Sequence, residues 1–160
     1  MDHSSDSLGC RFYGEEMPGH VLAERVGAYL HLFNLYGYLR PYGTAHLMAA
    51  KDNFNGHALF LLETSGIVHK FYGTAVGKHR QAAKTEIEKL DLSSMTCREA
   101  VQRIVKMFLA NRDDQKDHEI EMGWLTEETG WTYKVVPLDL IKQAEAAAAA
   151  FLDDAGMDED

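Results

Sequence analysis

The sequence predicts an α+β fold in which antiparallel sheets are covered by layers of helices. Three observations lead to this prediction. Apolar residues recur at helical spacing in four segments, and short apolar segments between turn residues indicate five strands. The predicted order is helix, three strands, two helices, two strands, helix. Such grouping is typical of α+β layer folds, whereas parallel α/β sheets alternate strands and helices regularly.

The first predicted helix follows Met17-Pro18 and ends before the Arg40-Pro41 step, because the residue before a proline is disfavoured in helical conformation. Its apolar residues repeat at intervals of three and four and predict a stripe that packs on a sheet: Leu22, Val26, Tyr29, Leu30, Phe33 and Tyr36. We interpret the aromatic residues at this helix end, including Tyr38, as core rather than as a platform for stacking nucleobases.

Three short strands are predicted next, at residues 44–50, 57–63 and 67–73. They are separated by Asn53–Gly56 and Thr64–Gly66, whose residues favour tight turns, so we expect an antiparallel meander. The middle strand is apolar on both sides from Leu59 to Leu62. This pattern predicts that both faces of the sheet are covered.

A second helix is predicted over residues 78–90, directly after Gly73 and Gly77. On this helix Lys84 and Glu88 stand four residues apart, as in a stabilising charge pair. Its predicted inward side consists of Ala82, Ala83, Ile87 and Leu90. A glycine-rich turn into a helix is also a possible phosphate site. The glycine spacings of dinucleotide-binding and P-loop motifs are absent, however, and we prefer the structural interpretation.

The third helix is predicted to begin at a capping box, Thr96–Glu99. Its inward residues are predicted to be Val101, Ile104, Val105 and Phe108. Two strands follow around the turn at 127–130, and their predicted inward residues are Ile120, Met122 and Trp124 on the first and Trp131, Tyr133 and Val135 on the second. We interpret Trp124 and Trp131 as packing residues, with an interface role as the alternative. Pro137 begins the last helix, whose alanine run favours close packing.

Composition indicates which classes of partner the chain can have. The 160 residues are 46% hydrophobic, which is enough for the core of one domain. Acidic residues outnumber basic ones by 25 to 16, and the net charge of −9 disfavours nucleic acid and anionic membranes as partners. No apolar run approaches the roughly 20 residues of a membrane span, and no secretory signal is recognisable.

Two further features concern the cysteines and the chain's end. Cys10 and Cys97 form no paired motif, so neither a disulfide framework nor a zinc ribbon is predicted, and free thiols fit a reducing compartment. Residues 153–160 are predicted to form an acidic, disordered, solvated tail. The alternative for this tail is docking to a basic regulatory surface. Its acidic residues are Asp153, Asp154, Asp158, Glu159 and Asp160.

Several short motifs extend through most of the chain. Arg40, Pro41, Tyr42 and Gly43 form an RPYG turn, Asp52 and Gly56 have D-x3-G spacing, and the hairpin sequence LFLLETSG ends at Gly66. Gly73 precedes the sequence GKHRQAAKTEIEKL, which begins at Gly77 and contains Ala83 and Glu88, and MTCRE follows. Together these motifs resemble the 20S proteasome α-subunit family. The last two sequences are most similar to its type-3 members.

The resemblance begins at about residue 13, leaves residues 1–12 without a counterpart, and assigns residues 13–152 to one α-type domain. It implies the αββα sandwich of the N-terminal nucleophile hydrolase fold. The family's N-terminal portion, with its gate-forming tail, first strands and first long helix, has no counterpart in this sequence. We therefore expect the chain to be a truncated, C-terminal part of a subunit.

The resemblance also implies a function. It predicts a non-catalytic structural subunit of the outer α ring, which supports ring assembly, substrate gating and regulator docking in ubiquitin-dependent protein degradation. The implied partners are neighbouring α subunits, the β ring and the regulatory particle, and the implied location is the cytoplasm and nucleus. We assign no catalytic, cofactor-binding or metal-binding residue, and the motif residues named above are interpreted as structural.

Three alternatives stay open. Gly43-Thr44 and Gly73-Thr74 resemble the site that is cleaved in catalytic β subunits to expose an N-terminal threonine nucleophile. In those subunits an aspartate and a lysine follow the threonine, but at the corresponding places after Thr44 this sequence has Phe60 and Val76. Three histidines, His46, His57 and His69, could meet across the meander and bind a metal; we interpret them as ordinary strand residues. The third alternative is a fragment that binds proteasome partners without entering the ring.

Overall fold

The computed structural model of the chain describes residues 17–53, 56–111 and 119–156, with side chains described as far as residue 151. The chain divides into two compact units, residues 1–74 and 75–160, and each is described by itself. Unit 1 contains helix α1 (Gly19–Leu35) and strands β1 (His46–Asp52), β2 (Gly56–Leu62) and β3 (Val68–Phe71). Unit 2 contains α2 (Arg80–Glu88), α3 (Cys97–Ala110), β4 (Gly123–Trp124), a 3-10 turn (Glu127–Thr129), β5 (Lys134–Val135) and α4 (Leu138–Gly156). The predicted α+β class and order of elements are confirmed.

The sheet of unit 1 is an antiparallel meander in the order β1-β2-β3, as predicted. His46 lies opposite Leu62, and Asp52 lies opposite Gly56. Each end of these three strands lies one or two residues from its predicted position. Residues 54–55 of the predicted first turn lie outside the described residues.

Residues 63–67 join β2 to β3, and Thr64, Ser65 and Gly66 form the turn between the hydrogen-bonded Glu63 and Ile67. The Gly66 N–H donates to the Glu63 carbonyl at 2.9 Å, and the Glu63 N–H donates to the Ile67 carbonyl at 2.9 Å. Gly66 has a φ of +88°, in the left-handed region that such loops require at their last residue. The glycine of the LFLLETSG motif therefore closes the hairpin.

Helix α1 packs on the sheet through small residues. Its buried residues are Gly19, Ala23, Gly27 and Leu30, which join Phe60 and Leu62 of β2 in the core of unit 1. The predicted stripe is wrong in this respect, since Leu22, Tyr29 and Tyr36 are exposed. The hydrophobic pattern emphasised the large side chains. Leu30 is buried as predicted, but at Gly19 and Gly27 the helix approaches its neighbours so closely that a Cβ atom would clash.

The end of α1 also differs from the prediction. The helix stops at Leu35, and Tyr36 is already extended, with φ −103° and ψ 121°. Gly37 has low helix propensity, and the Leu39 N–H donates to the Tyr36 carbonyl at 3.0 Å in a tight turn. This turn ends the helix before the Arg40-Pro41 step is reached.

The core of unit 2 lies where α3 packs against α4. It consists of Val101, Val105, Val136, Ile141, Ala144 and Ala148. The predicted capping box is confirmed: the Thr96 N–H donates to the Glu99 carboxylate at 2.8 Å, and the Glu99 N–H donates to the Thr96 hydroxyl at 3.3 Å. This local hydrogen bonding fixes where α3 begins.

Two predicted inward faces in unit 2 are confirmed only in part: Val101 and Val105 of α3 are buried, and Ala83, Ile87 and Leu90 of the predicted second helix are half-buried. Ile104 is partly exposed and Phe108 is 62% exposed, because α4 covers only the side of α3 that carries Val101 and Val105. Helix α2 is shorter than predicted and has no buried residue; its Ala82 is exposed. The residue before α2, His79, has a left-handed φ of 59°, which delays the start of this helix.

The β4–β5 hairpin is present but each strand has only two residues, with Gly123 opposite Val135. Its first strand segment packs as predicted, since Met122 and Trp124, with Ile120, contact the core. The second does not: Tyr133 and Val135 are exposed and Val136 is buried instead. Gly130 and Trp131 both have left-handed φ values, 61° and 58°, and this irregular backbone shifts the alternation by one residue.

Helix α4 continues to Gly156, so residues 153–156 of the predicted tail are helical. Residues 157–160 lie outside the described residues. In the described ranges, no helix is both long enough and apolar enough to cross a membrane.

Replacing Gly27 by alanine is predicted to destabilise unit 1. A Cβ atom at this position would lie 2.6 Å from the Gly66 carbonyl oxygen, a backbone atom that cannot rotate away. The higher helix propensity of alanine offsets about 1 kcal/mol, so we expect a net loss of about 1–2 kcal/mol from overpacking. Urea unfolding followed by circular dichroism measures it. Gly37→Ala is the control, because nothing lies within 4 Å of its Cβ position; equal midpoints for the two variants would contradict the prediction.

Candidate functional site

The N-terminus of α1 is held by the carboxylate of Asp52, the D of the D-x3-G motif. Asp52 ends β1, is 8% exposed, and accepts a hydrogen bond from the Gly19 N–H at 2.8 Å. Pro18, the residue before the helix, provides no side-chain cap. An acidic group at this end also interacts favourably with the helix dipole. Asp52 therefore connects the start of α1 to the edge of the sheet.

The C-terminal half of α1 is held by the β2–β3 loop. Gly27 and Gly66 approach so closely that a Cβ on either would meet the carbonyl oxygen of the other, at 2.6 Å and 2.5 Å. The His31 Nδ1–H donates to the Ser65 carbonyl at 2.9 Å, and the Asn34 amide donates to the Thr64 carbonyl at 2.9 Å. Backbone contact and two side-chain hydrogen bonds thus fix this helix on the hairpin.

Because small residues of α1 face the sheet, its large residues remain on the flank. We call this flank with the following turn the aromatic surface: Tyr29, Phe33, Tyr36, Tyr38 and Tyr42. Tyr29 is 54% exposed and Tyr38 is 82% exposed, which corrects the prediction that these aromatic residues form core. Large exposed apolar patches on a folded domain usually mark interaction sites.

The RPYG turn contributes one ring to this surface. Tyr42 packs edge-on against Phe33 with ring centroids 4.7 Å apart, and Phe33 packs edge-on against Tyr29 at 5.2 Å. Tyr36 and Tyr38 form a separate tilted pair at 5.6 Å. The rings hold one another in defined orientations, so the surface is preorganised for contact.

A hydrogen bond with the Tyr29 side chain raises the pKa of Tyr42 above its ordinary value of 10.0. Partial burial and the negative charge of an ionised Tyr29 raise the pKa further. The Tyr42 phenol therefore stays neutral through the physiological range. At this position the aromatic surface presents a neutral hydroxyl group rather than a charge.

The structure places the predicted motif residues in both units. Arg40, Pro41 and Gly43 lie exposed in the connection between α1 and β1. Gly56 begins β2, and Gly66 ends the hairpin loop, both with positive φ. Gly73 lies in the connection after β3, and Gly77, with φ +95°, precedes α2. On α2, Ala83 is half-buried and Glu88 is exposed. Asp52, Tyr42 and Gly66 are the motif residues that contact α1.

The three histidines considered as metal ligands do not converge. His69 on β3 lies opposite Leu61 on β2, and Leu61 is four residues from His57. At 3.3 Å per residue, His57 and His69 are therefore separated by roughly 13 Å along the strands. His46 lies opposite Leu62, whose side chain is on the other face of the sheet. Within the described ranges, no group of three or more histidine, cysteine, aspartate or glutamate residues is placed to hold a metal ion.

The two threonines of the hydrolase alternative lie in different settings. Thr44 is exposed, and its hydroxyl is 3.5 Å from the His46 Nε2. The Thr74 hydroxyl is buried and has no hydrogen-bond partner among the described residues. In both cases the backbone nitrogen is part of a peptide bond with the preceding glycine. It can act as the α-amino base of an N-terminal nucleophile only after that bond is cleaved.

Sequence reasoning missed the residues that fix α1 on the hairpin, Gly27, His31 and Asn34. They follow one another at helical spacing, beside the apolar stripe, and this pattern is the signal that could have identified them. Their partners lie 30 residues (Asn34 to Thr64) to 39 residues (Gly27 to Gly66) further along the chain, so the contacts themselves could not be deduced from local sequence.

Comparisons with known proteins are consistent with the motifs. Residues 10–125 match the family described as Proteasome subunit. Over 145 residues the chain is 45% identical to proteasome subunit alpha type-3 of Acanthamoeba castellanii, covering 89% of this chain and 57% of the relative. Identity to the alpha type-3 subunit of Oryza sativa subsp. japonica is 43% over 150 residues, covering 92% and 60%. A probable alpha type-7 subunit of Schizosaccharomyces pombe is 39% identical, covering 92% and 58%. The chain thus spans less than two thirds of these relatives.

Replacing Tyr29 by phenylalanine is predicted to lower the pKa of Tyr42, because the hydrogen bond that raises it is lost. In the folded wild type, stabilisation by this bond is present below pH 10.0 and is lost as the pH rises through the raised pKa of Tyr42. Absorbance at 295 nm, followed over about pH 9 to 12, measures tyrosine ionisation. The absorbance change at the high-pH end of the titration, which we assign to Tyr42, should disappear in Tyr29→Phe and persist in the control Tyr72→Phe. Its persistence in both variants would contradict the prediction.

Proposed function

The chain belongs to the proteasome subunit family as an α-type member, and from this premise we propose that it is a non-catalytic structural subunit of the outer α ring of the 20S core. The match over residues 10–125, together with the alpha type-3 relatives, carries this proposal. In this role the chain supports ring assembly, substrate gating and regulator docking in ubiquitin-dependent protein degradation. It works in the cytoplasm and nucleus, in contact with neighbouring α subunits, the β ring and the regulatory particle.

The aromatic surface supports a role in assembly. Tyrosine and phenylalanine are enriched at the centres of protein interfaces, where a few buried aromatic anchors provide most of the binding energy. Here several such side chains are exposed together on α1 and on the connection that follows it, and the helix itself is fixed at both ends. Rings held by their neighbours lose little conformational entropy on binding. We therefore assign this surface to contact with another subunit.

The residues that follow Thr44 support the non-catalytic part of the proposal. Counted from Thr44, the places of the catalytic aspartate and lysine hold Phe60 and Val76, which cannot transfer protons. The chain's contribution is then surface complementarity rather than chemistry.

The purified full-length chain is predicted to keep its original N-terminus and to hydrolyse no fluorogenic peptide. N-terminal sequencing and a peptidase assay test this on the same sample. A mature chain that begins at Thr44 or Thr74 and cleaves the peptide would replace the structural proposal by the N-terminal hydrolase alternative. Cleavage without a new N-terminus would point to a contaminating protease, which a threonine-directed covalent inhibitor distinguishes.

An epitope-tagged chain expressed in cells is predicted to co-migrate with 20S particles on a native gel. The double variant Tyr36→Ser/Tyr38→Ser should reduce the co-migrating fraction by about fivefold or more, since losing one aromatic anchor typically weakens binding by 1 kcal/mol or more. Tyr72→Ser is the matched control, because Tyr72 is 94% exposed and lies outside the aromatic surface.

Circular dichroism of the purified variants checks that they fold. Wild-type chain found only as monomer or aggregate would contradict ring incorporation. Equal co-migration of the double variant and the control would leave incorporation standing but reject the aromatic surface as its contact.

A further inference from the structure

The two sides of the β4–β5 hairpin are different. On one side, Ile120, Met122 and Trp124 contact the core of unit 2. The Val136 N–H donates to the Met122 carbonyl at 2.9 Å, and Gly123 lies opposite Val135. Because successive side chains of an extended chain alternate in direction, the residues between the core residues lie on the other side. All of these are exposed, and we call this side the outer hairpin face: Glu119, Glu121, Gly123, Tyr133 and Val135.

A tyrosine ring is held against the backbone of the outer hairpin face. A Cβ atom at Gly123 would lie 2.6 Å from Cζ of Tyr133, so the ring occupies the place that a side chain at position 123 would need. Tyr133 is nevertheless 65% exposed, and the neighbouring Val135 is 69% exposed. The glycine supports the ring on one side and leaves the rest to solvent. This part of the face is therefore an apolar contact surface whose ring is already oriented.

The two glutamates of the outer hairpin face have no partner of opposite charge. Among the residues that the structure describes, neither the Glu119 nor the Glu121 carboxylate forms an ion pair or a side-chain hydrogen bond. The only cation in residues 119–136 is Lys134. Lys134 lies opposite Trp124, so its side chain begins on the side that contacts the core. The negative charge of the outer hairpin face is therefore unmatched within the described part of unit 2.

The charge around this face indicates a cationic partner. Residues 119–139 contain five acidic residues and one basic residue. One of the five, Glu128 in the turn, is paired with Arg98 of α3 at 3.4 Å. At physiological ionic strength exposed charges act over only about 8 Å, so the glutamates of the face attract a partner locally, in addition to the net charge of −9. The exposed ring of Tyr133 adds to this preference, because a lysine or arginine head group above a ring gains a cation–π contact.

We propose that the outer hairpin face binds an extended basic segment of a partner protein, in which arginine or lysine residues alternate with uncharged residues beside an apolar one. Glu119, Glu121 and Gly123 follow one another at about 6.6 Å on one side of the chain, and alternate side chains of an extended peptide have the same spacing. Two cations can therefore meet the two carboxylates while the next alternate side chain contacts Tyr133 and Val135. Nucleic acid and acidic peptides are repelled by the same carboxylates.

Fluorescence anisotropy of the full-length chain with labelled peptides tests the proposal. We expect saturable binding of TRTRTLTRTRT, in which the arginines and the leucine alternate with threonines, and no binding of the uncharged TQTQTLTQTQT. The peptide RRTTTLTTTRR has the same composition and charge as the first. When its leucine lies on the Tyr133 ring, however, none of its arginines can face Glu121. It should bind at least about threefold more weakly, since one ion pair is lost.

Variants of the chain test the two parts of the face separately. Glu121→Gln should weaken binding of TRTRTLTRTRT about threefold to fivefold, as expected for a partly exposed ion pair. Glu127→Gln is the matched control, because it removes the same charge from an exposed position in the 3-10 turn, outside the outer hairpin face, and it should change affinity less than twofold. Tyr133→Ala removes the ring and should weaken binding about fivefold or more. None of these variants alters a buried side chain, and circular dichroism verifies that each folds.

Equal binding of the two arginine peptides, or equal effects of Glu121→Gln and Glu127→Gln, would overturn the proposal in favour of general attraction to an acidic protein. Displacement of the peptide by spermine at equal concentration would replace it by capture of small polycations. A dimer in analytical ultracentrifugation that Tyr133→Ala dissociates would assign the face to a second copy of the chain. The outer hairpin face is in unit 2, whereas ring incorporation is tested through the aromatic surface of unit 1, so failure of this proposal leaves ring incorporation untouched.

Discussion

The close approach of α1 to the β2–β3 loop is the contact on which the rest of unit 1 depends. The backbones of Gly27 and Gly66 leave no room for a side chain at either position. The small inward face of the helix, the exposed flank and the position of the RPYG turn all follow from this distance. Polar links at the two ends, from Asp52 to Gly19 and from Asn34 to Thr64, hold the helix at that distance.

This constraint also connects packing with function. A helix that buried its large residues would stabilise the isolated domain more, since a buried aromatic side chain contributes about 2–3 kcal/mol. In α1 that area is left on the surface, where it can stabilise an assembly instead. Membership in the proteasome subunit family is consistent with such an arrangement. Small residues serve close helix packing in unit 2 as well, where Ala144 and Ala148 of α4 are buried in one core with Val101 and Val105 of α3.

Local features of this fold were predictable from the sequence, and features that depend on distant contacts were not. The Thr96–Glu99 capping box involves residues three positions apart, so its pattern was sufficient. The meander followed from turn residues and apolar strands in the same way. The inward face of α1 was not predictable, because periodicity weights large side chains and the controlling contact joins residues far apart. The inward face of β5 failed for a different reason: Trp131 adopts a left-handed conformation that is rare for a side chain of this type. For the candidate site, the motif residues Asp52 and Gly66 were recognised, but their contacts with α1 required the structure.

The order of elements in unit 1 has a consequence for its synthesis. Helix α1 precedes the hairpin that fixes it, and its partners in the 63–66 turn emerge from the ribosome some 30 residues later. During this interval both its glycine face and its aromatic flank are uncovered, and exposed apolar surface of this kind is what chaperones bind. The meander, whose pairings join near neighbours in sequence, can form early because its loops are short. Nascent α1 therefore lacks its packing partner until the hairpin has formed, and its tyrosines are exposed to other apolar surfaces while the chain is still being made.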